Sequence, residues 1–143
     1  MEHPKDIGDH STLAIMYALR SVGYELLLPF GENTRYDLVI DDGGAFSRVQ
    51  CKTGRVRNGA IVFATASTYA HHPNPKVRRR GYEGEIDFFA VFCPDTGGVY
   101  LVPIRGLPTR SSAMVRVEPA RNGQVRGIRH AAQYEVARLL LAS

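Results

Sequence analysis

Apolar positions fall at helical spacing only towards the two ends of the chain. In residues 9–22, DHSTLAIMYALRSV, a stripe of Ile15, Met16, Leu19 and Val22 predicts an amphipathic helix. Asp9 or Ser11 can cap it and Gly23 can end it. Thr12 lies three and four residues before Ile15 and Met16 and so shares the inward face. Residues 129–142, RHAAQYEVARLLLA, place Ala132, Val136 and Leu139 or Leu140 on one face and predict a second helix. Between the two, short apolar runs predict strands: 24–30 ending near Pro29, a hairpin of 36–41 with 47–53, 59–67, and 85–93 with 98–104 around Pro94-Asp95-Thr96-Gly97. The segment 70–84, AHHPNPKVRRRGYEG, predicts a loop, because its prolines, glycines and charge run oppose regular structure. Residues 107–127 read as loop with a short strand at 114–117. The order is helix, four strands, loop, two strands, helix. It predicts an α/β fold, a mixed sheet flanked by helices, in a single domain spanning 1–143.

Composition changes this picture little, and charge changes it more. The chain has 143 residues, 44% hydrophobic and 22% charged, as an ordinary globular protein has. It has no apolar run long enough for a membrane span, and its N-terminus is too polar for a signal peptide. Cys51 and Cys93 each sit in an apolar run with no zinc-like spacing and read as buried thiols, so a cytoplasmic setting is expected. The net charge of +4 is uneven. KVRRR at 76–80 concentrates four cations, Lys76, Arg78, Arg79 and Arg80. Six arginines between 105 and 129 face one acid, Glu118, and Arg55 and Arg57 add two more. Such basic patches point to a polyanionic partner, most simply nucleic acid.

The chemistry concentrates in RYDLVIDDGGAFSRVQCKTGR, residues 35–55. A two-residue turn of type I′ at Gly43-Gly44 pairs 42 with 45 and 37 with 50. Asp37, Gln50 and Lys52 then share one face, with Val49 and Cys51 on the other. An acid, an amide and an ammonium brought together suit a hard cation and a phosphate. Mg²⁺ takes oxygen ligands and uses one or two carboxylates plus substrate phosphate. Asp37 supplies the carboxylate, and the Gln50 amide oxygen and the Cys51 main-chain carbonyl add two weaker ligands. Lys52 orients the attacking water or stabilises phosphorane charge. The reaction class this predicts is hydrolysis of a phosphodiester. The bland alternative is a cross-strand ion pair between Asp37 and Lys52.

A strand bearing Asp, a turn, and a strand reading apolar-[Glu/Gln]-x-Lys resembles the signature of the PD-(D/E)xK nuclease superfamily, here Asp37 and Gln50-Cys51-Lys52. The flanking stretches PFGENTRYDLVIDDGG, RVQCKTGR and YEGEIDFFAVFCPDTGGVYLVPI extend the resemblance over about residues 4–135. They are most similar to the branch of group I intron-encoded homing endonucleases, and more distantly to archaeal Holliday-junction resolvases. The resemblance implies an α-β-β-β-α-β core and a catalytic set of Asp37, Gln50 and Lys52. It also implies Mg²⁺ with Mn²⁺ as substitute, a duplex or four-way-junction DNA substrate, and a homodimer or homotetramer. Gln50 stands where an acid is usual, as it does in the homing branch. Many members carry a glutamate on the first helix where this chain has Thr12, and Glu32, in the loop ahead of Asp37, or Asp9, one turn earlier in the helix, is the candidate to compensate. A catalytically weak or silent DNA-binding module is the alternative. Arg55, Arg57, Lys76, Arg78, Arg79 and Arg80 are the expected phosphate contacts. His71-His72 read as solvated loop residues. Tyr69 and Tyr82, flanking the basic loop, read as anchors or as stacking partners for a base.

Overall fold

The computed structural model describes residues 3–31, 33–70, 77–108, 111–120, 123 and 127–141, with backbone alone at 68–70, 77–79 and 141. Helix α1 spans Pro4–Ser21, one turn and more ahead of the expected start. Pro4 suits a first helical position, where its missing N–H costs nothing. His3 provides the cap, its Nδ1 accepting the Lys5 N–H at 3.2 Å. The first two turns are mostly exposed polar side chains, so no apolar stripe marks them in the sequence. The buried stripe is Ser11, Ile15 and Leu19. The helix ends as expected, with Gly23 at φ +100° and its N–H bonded to the Arg20 carbonyl.

Four strands follow: β1 (Glu25–Leu27), β2 (Leu38–Asp41), β3 (Phe46–Thr53) and β4 (Arg55–Arg57). The run 59–67 divides at Thr65 into β5 (Ala60–Ala64) and β6 (Ala66–Ala70). The expected loop contains β7 (Val77–Gly81), which pairs antiparallel with β6. Its pairing to a small, polar strand, rather than any apolar alternation, makes the basic run a strand. Strands β8 (Phe88–Cys93), β9 (Gly98–Pro103) and β10 (Ser112–Arg116) complete the set.

The central sheet has the order β1-β2-β3-β8-β9. Only β3 and β8 are parallel, and their crossover runs through β4 to β7, with no helix among its described residues. Helix α1 packs on one face, where Ile15 and Leu19 meet Leu38, Ile40, Val49 and Ala90. The second sheet, β10-β5-β4, covers the other, where Ile61, Phe63 and Val115 meet Phe89, Val91 and Val102. Each of the buried Val, Leu, Ile and Phe side chains contributes about 1.5–3 kcal/mol. This is the mixed α/β architecture expected, with one long helix.

The helix expected over 129–142 is broken. A 3-10 turn at Ala131–Gln133 leads into an extended stretch, and α2 covers only Arg138–Leu141. In the extended stretch, Leu101 N–H donates to Tyr134 and Val136 N–H donates to Val99, each at 2.8 Å. The open edge of β9 takes these backbone bonds, and Val136 is buried in the process.

Candidate active site

The β2–β3 turn keeps the expected register, with Asp41 opposite Phe46 and Leu38 opposite Val49. Only Gly43 of the two turn glycines has positive φ, which fits type II′ rather than I′. Both types are two residues long, so the register is the same. Asp42 Oδ1 fixes the turn by accepting from the Gly44 and Ala45 N–H groups.

At Asp37 the pairing departs from a simple ladder. Its N–H donates to the Val49 carbonyl at 2.8 Å, although Val49 is already opposite Leu38. Two residues thus face one, as in a β-bulge. Its carboxylate Oδ2 then accepts the Cys51 N–H at 2.8 Å, in the place of the next backbone acceptor. Asp37 is therefore not directly opposite Gln50. It caps the open edge of β3 at the fork where β2 leaves.

Gln50 and Lys52 lie beside Phe89 and Val91 of β8, on the face of the second sheet, while Cys51 packs towards α1. This is the alternation expected. An extended residue points its N–H and C=O to the same side. The Cys51 carbonyl therefore opens to the edge that carries the Asp37 carboxylate. Lys52 does not close a contact ion pair with Asp37. Its Nζ donates to Tyr82 Oη at 3.1 Å and lies 4.8 Å from the Tyr82 ring centre.

Asp37 is exposed as a residue, yet its carboxyl sits deep enough among its neighbours that desolvation pushes its pKa up, against the pull of the Cys51 N–H and the Lys52 charge. The Cys51 thiol is pushed up to about 12 by burial and the Asp37 charge, and is partly offset by a hydrogen bond with Thr12. It is a neutral thiol at pH 7, neither a nucleophile nor a thiolate ligand. Thr12 therefore does face the fork. Its hydroxyl also donates to the Gly8 carbonyl at 3.0 Å. Next to it, Ser11 Oγ lies 2.5 Å from Thr53 Oγ1, tying α1 to the end of β3.

The donor set suits one hard cation: a desolvated carboxylate and a carbonyl on one strand edge, with the Gln50 amide on the adjacent strand position. It does not suit a closed protein cage. Among the described residues no group of three or more His, Cys, Asp or Glu side chains could hold a metal. Asp9 is exposed on α1, and Glu32 lies outside the described residues.

The basic residues divide. Arg55 and Arg57 lie on β4, whose Val56 N–H is held by Asp95 Oδ2 at 2.9 Å. Arg78 and Arg79 lie on β7, with Lys76, His71 and His72 outside the described residues. Arg80 is exposed and is paired with Glu85 at 3.2 Å. Tyr82 is 3% exposed, an anchor and not a stacking surface. Sequence reasoning passed over Arg35, although it stands only two residues before Asp37. It donates to Ser67 Oγ and to the Arg80 and Gly81 carbonyls, and its guanidinium centre lies 4.0 Å from the Tyr82 ring centre.

A family model described as PD-(D/E)XK endonuclease matches residues 2–137. Among solved structures, a bacterial homing endonuclease, I-Ssp6803I, superposes with a TM-score of 0.71 at 26% identity, covering 98% of this chain and 93% of that one. No curated protein matches the chain.

Proposed function

The chain belongs to the PD-(D/E)XK endonuclease family, and from that premise we propose that it is a metal-dependent DNA endonuclease whose hydrolytic site is the β2–β3 fork. One observation carries the reading. The Asp37 carboxylate is fixed at the open edge of β3 by the Cys51 N–H, with the Lys52 ammonium held on the adjoining face. Asp37, the Cys51 carbonyl and Gln50 would hold one Mg²⁺ or Mn²⁺. Such an ion supplies a more acidic water and neutralises phosphate charge when bound. The raised pKa of Asp37 fits this role, since a desolvated carboxylate gains most from a cation. Lys52 orients the water or stabilises the charge that builds on the phosphate oxygens. Oxygen–phosphorus bond formation by water expels the sugar oxygen, which leaves with a proton.

DNA is held along its backbone by Arg55 and Arg57 of β4, by Arg78 and Arg79 of β7, and by Lys76. The likeness to a homing endonuclease supports long linear duplex over a four-way junction as substrate. One chain of 143 residues presents little reading surface beyond the core, so a homo-oligomer is part of the proposal.

Thr12 favours a second reading, a nuclease fold that binds DNA without cutting it. Position 12 faces the fork and brings a hydroxyl where a carboxylate would complete a metal site. Incubating the protein with long linear DNA and with a four-way junction, in Mg²⁺, in Mn²⁺ and in chelator, tests both. Metal-dependent cutting that is lost in Asp37→Ala supports the endonuclease, and the substrate that is cut names its type. Salt-sensitive binding with no cutting in either metal supports the silent module.

A further inference from the structure

We propose that Tyr82, braced by Arg35, is the positioning residue for Lys52. The inference rests on the reading of Lys52 as the reacting ammonium. Tyr82 directly follows β7 and is buried. Its ring packs edge-on against Phe89 with centroids 5.6 Å apart and planes at 89°. On the same ring sit two cations. The Arg35 guanidinium centre is 4.0 Å from the ring centre, and Lys52 Nζ is 4.8 Å from it and 3.1 Å from the hydroxyl oxygen.

Arg35 is itself held on several sides. Its Nη1 donates to Ser67 Oγ at 2.8 Å, its Nη2 donates to the Gly81 carbonyl at 2.8 Å, and its Nε lies 3.3 Å from Glu85 Oε2. That last approach lacks hydrogen-bond geometry, since the buried Nε has no hydrogen-bond partner. The guanidinium therefore acts as a fixed wall against the ring. A phenol between that wall and Phe89 has one orientation, so its oxygen is a fixed point.

A lysine side chain is flexible and its ammonium carries three donors. Tethering one donor to the Tyr82 oxygen selects a rotamer and leaves two donors for water and phosphate. Arg35 also precedes Asp37 by two residues.

The test uses Tyr82→Phe, which keeps the ring and removes only the hydroxyl, beside Lys52→Met. Loss of a hydrogen bond to a charged group predicts a fall in kcat of about tenfold or more, with KM within about twofold. A second readout is independent of cleavage. The ammonium NMR signal of Lys52, identified by its absence in Lys52→Met, is sharper and slower to exchange in the wild type than that of exposed Lys5, and loses this protection in Tyr82→Phe. Wild-type kcat in Tyr82→Phe, or a change in KM alone, overturns the proposal. Should Tyr82→Phe fail to fold, the wild-type signals decide: Lys52 exchanging as fast as Lys5 overturns it. If Lys52→Met cuts at the wild-type rate, the catalytic reading of Lys52 fails, while the NMR arm still reports on the contact.

Discussion

Gly54→Ala adds one methyl group where β3 hands over to β4, two residues past Lys52. Gly54 does not have a positive φ, so backbone conformation does not require glycine here. Space does. A Cβ would lie 2.6 Å from Ile61 Cγ2 and 2.8 Å from Val91 Cγ1, against about 3.5–4.0 Å for carbon atoms in contact. Ile61 and Val91 are both 0% exposed, so neither can swing into solvent. The Gly54 N–H is bonded to the Phe92 carbonyl at 2.8 Å, which limits movement of the backbone. The two sheets must part by about 1 Å, and overpacking of this kind costs about 1–3 kcal/mol. For a chain of this size that lowers Tm by about 3–10 °C. Thermal melting followed by circular dichroism, with a urea titration for the free energy, measures it. The urea slope is unchanged and the midpoint falls. DNA cleavage also falls, because the displaced strand carries Lys52. A Tm within about 1 °C of the wild type would refute the steric argument.

Asp37→Asn removes a carboxylate whose folded-state pKa is raised, so the wild-type protein without metal loses stability as pH climbs from the ordinary carboxylate value through the raised one. Urea melts at about pH 3 and about pH 7 therefore show the wild type losing stability relative to the variant as pH rises, while the variant fails to cut DNA. Cys51→Ala keeps cleavage within about threefold, because its ligand is a main-chain carbonyl, and the wild-type thiol reacts slowly with iodoacetamide at pH 7. Thr12→Glu brings a carboxylate to the fork and tightens Mn²⁺ binding about tenfold in calorimetry, since affinity for hard cations follows ligand charge.

Much of the site was legible because it depends on local rules. The spacing of Gly43-Gly44 set the register of β2 on β3, and alternation then placed Gln50 and Lys52 opposite to Cys51. The bulge at Asp37 was not legible, since it arises where a side chain replaces a missing backbone partner. Nor was the strand at 77–81 or the broken terminal helix. Both are decided by pairing: β7 on β6, and Tyr134–Val136 on the edge of β9. Periodicity reads how a segment faces a core and is blind to which strand edge is left open. Arg35 and Tyr82 meet across 47 positions of sequence, and no motif links them. The early start of α1 carries no sequence signal, because its first turns are mostly exposed polar side chains.

Hydrolysis of DNA at the β2–β3 fork can be tested by kinetics. The most direct measurement is the single-turnover cleavage rate of long linear DNA in Mg²⁺ by the wild type, Asp37→Ala and Lys52→Met, with folding verified by circular dichroism. A hydrolytic fork gives cutting by the wild type and a loss of about 100-fold or more in each variant. Cutting by folded Asp37→Ala at the wild-type rate would contradict it.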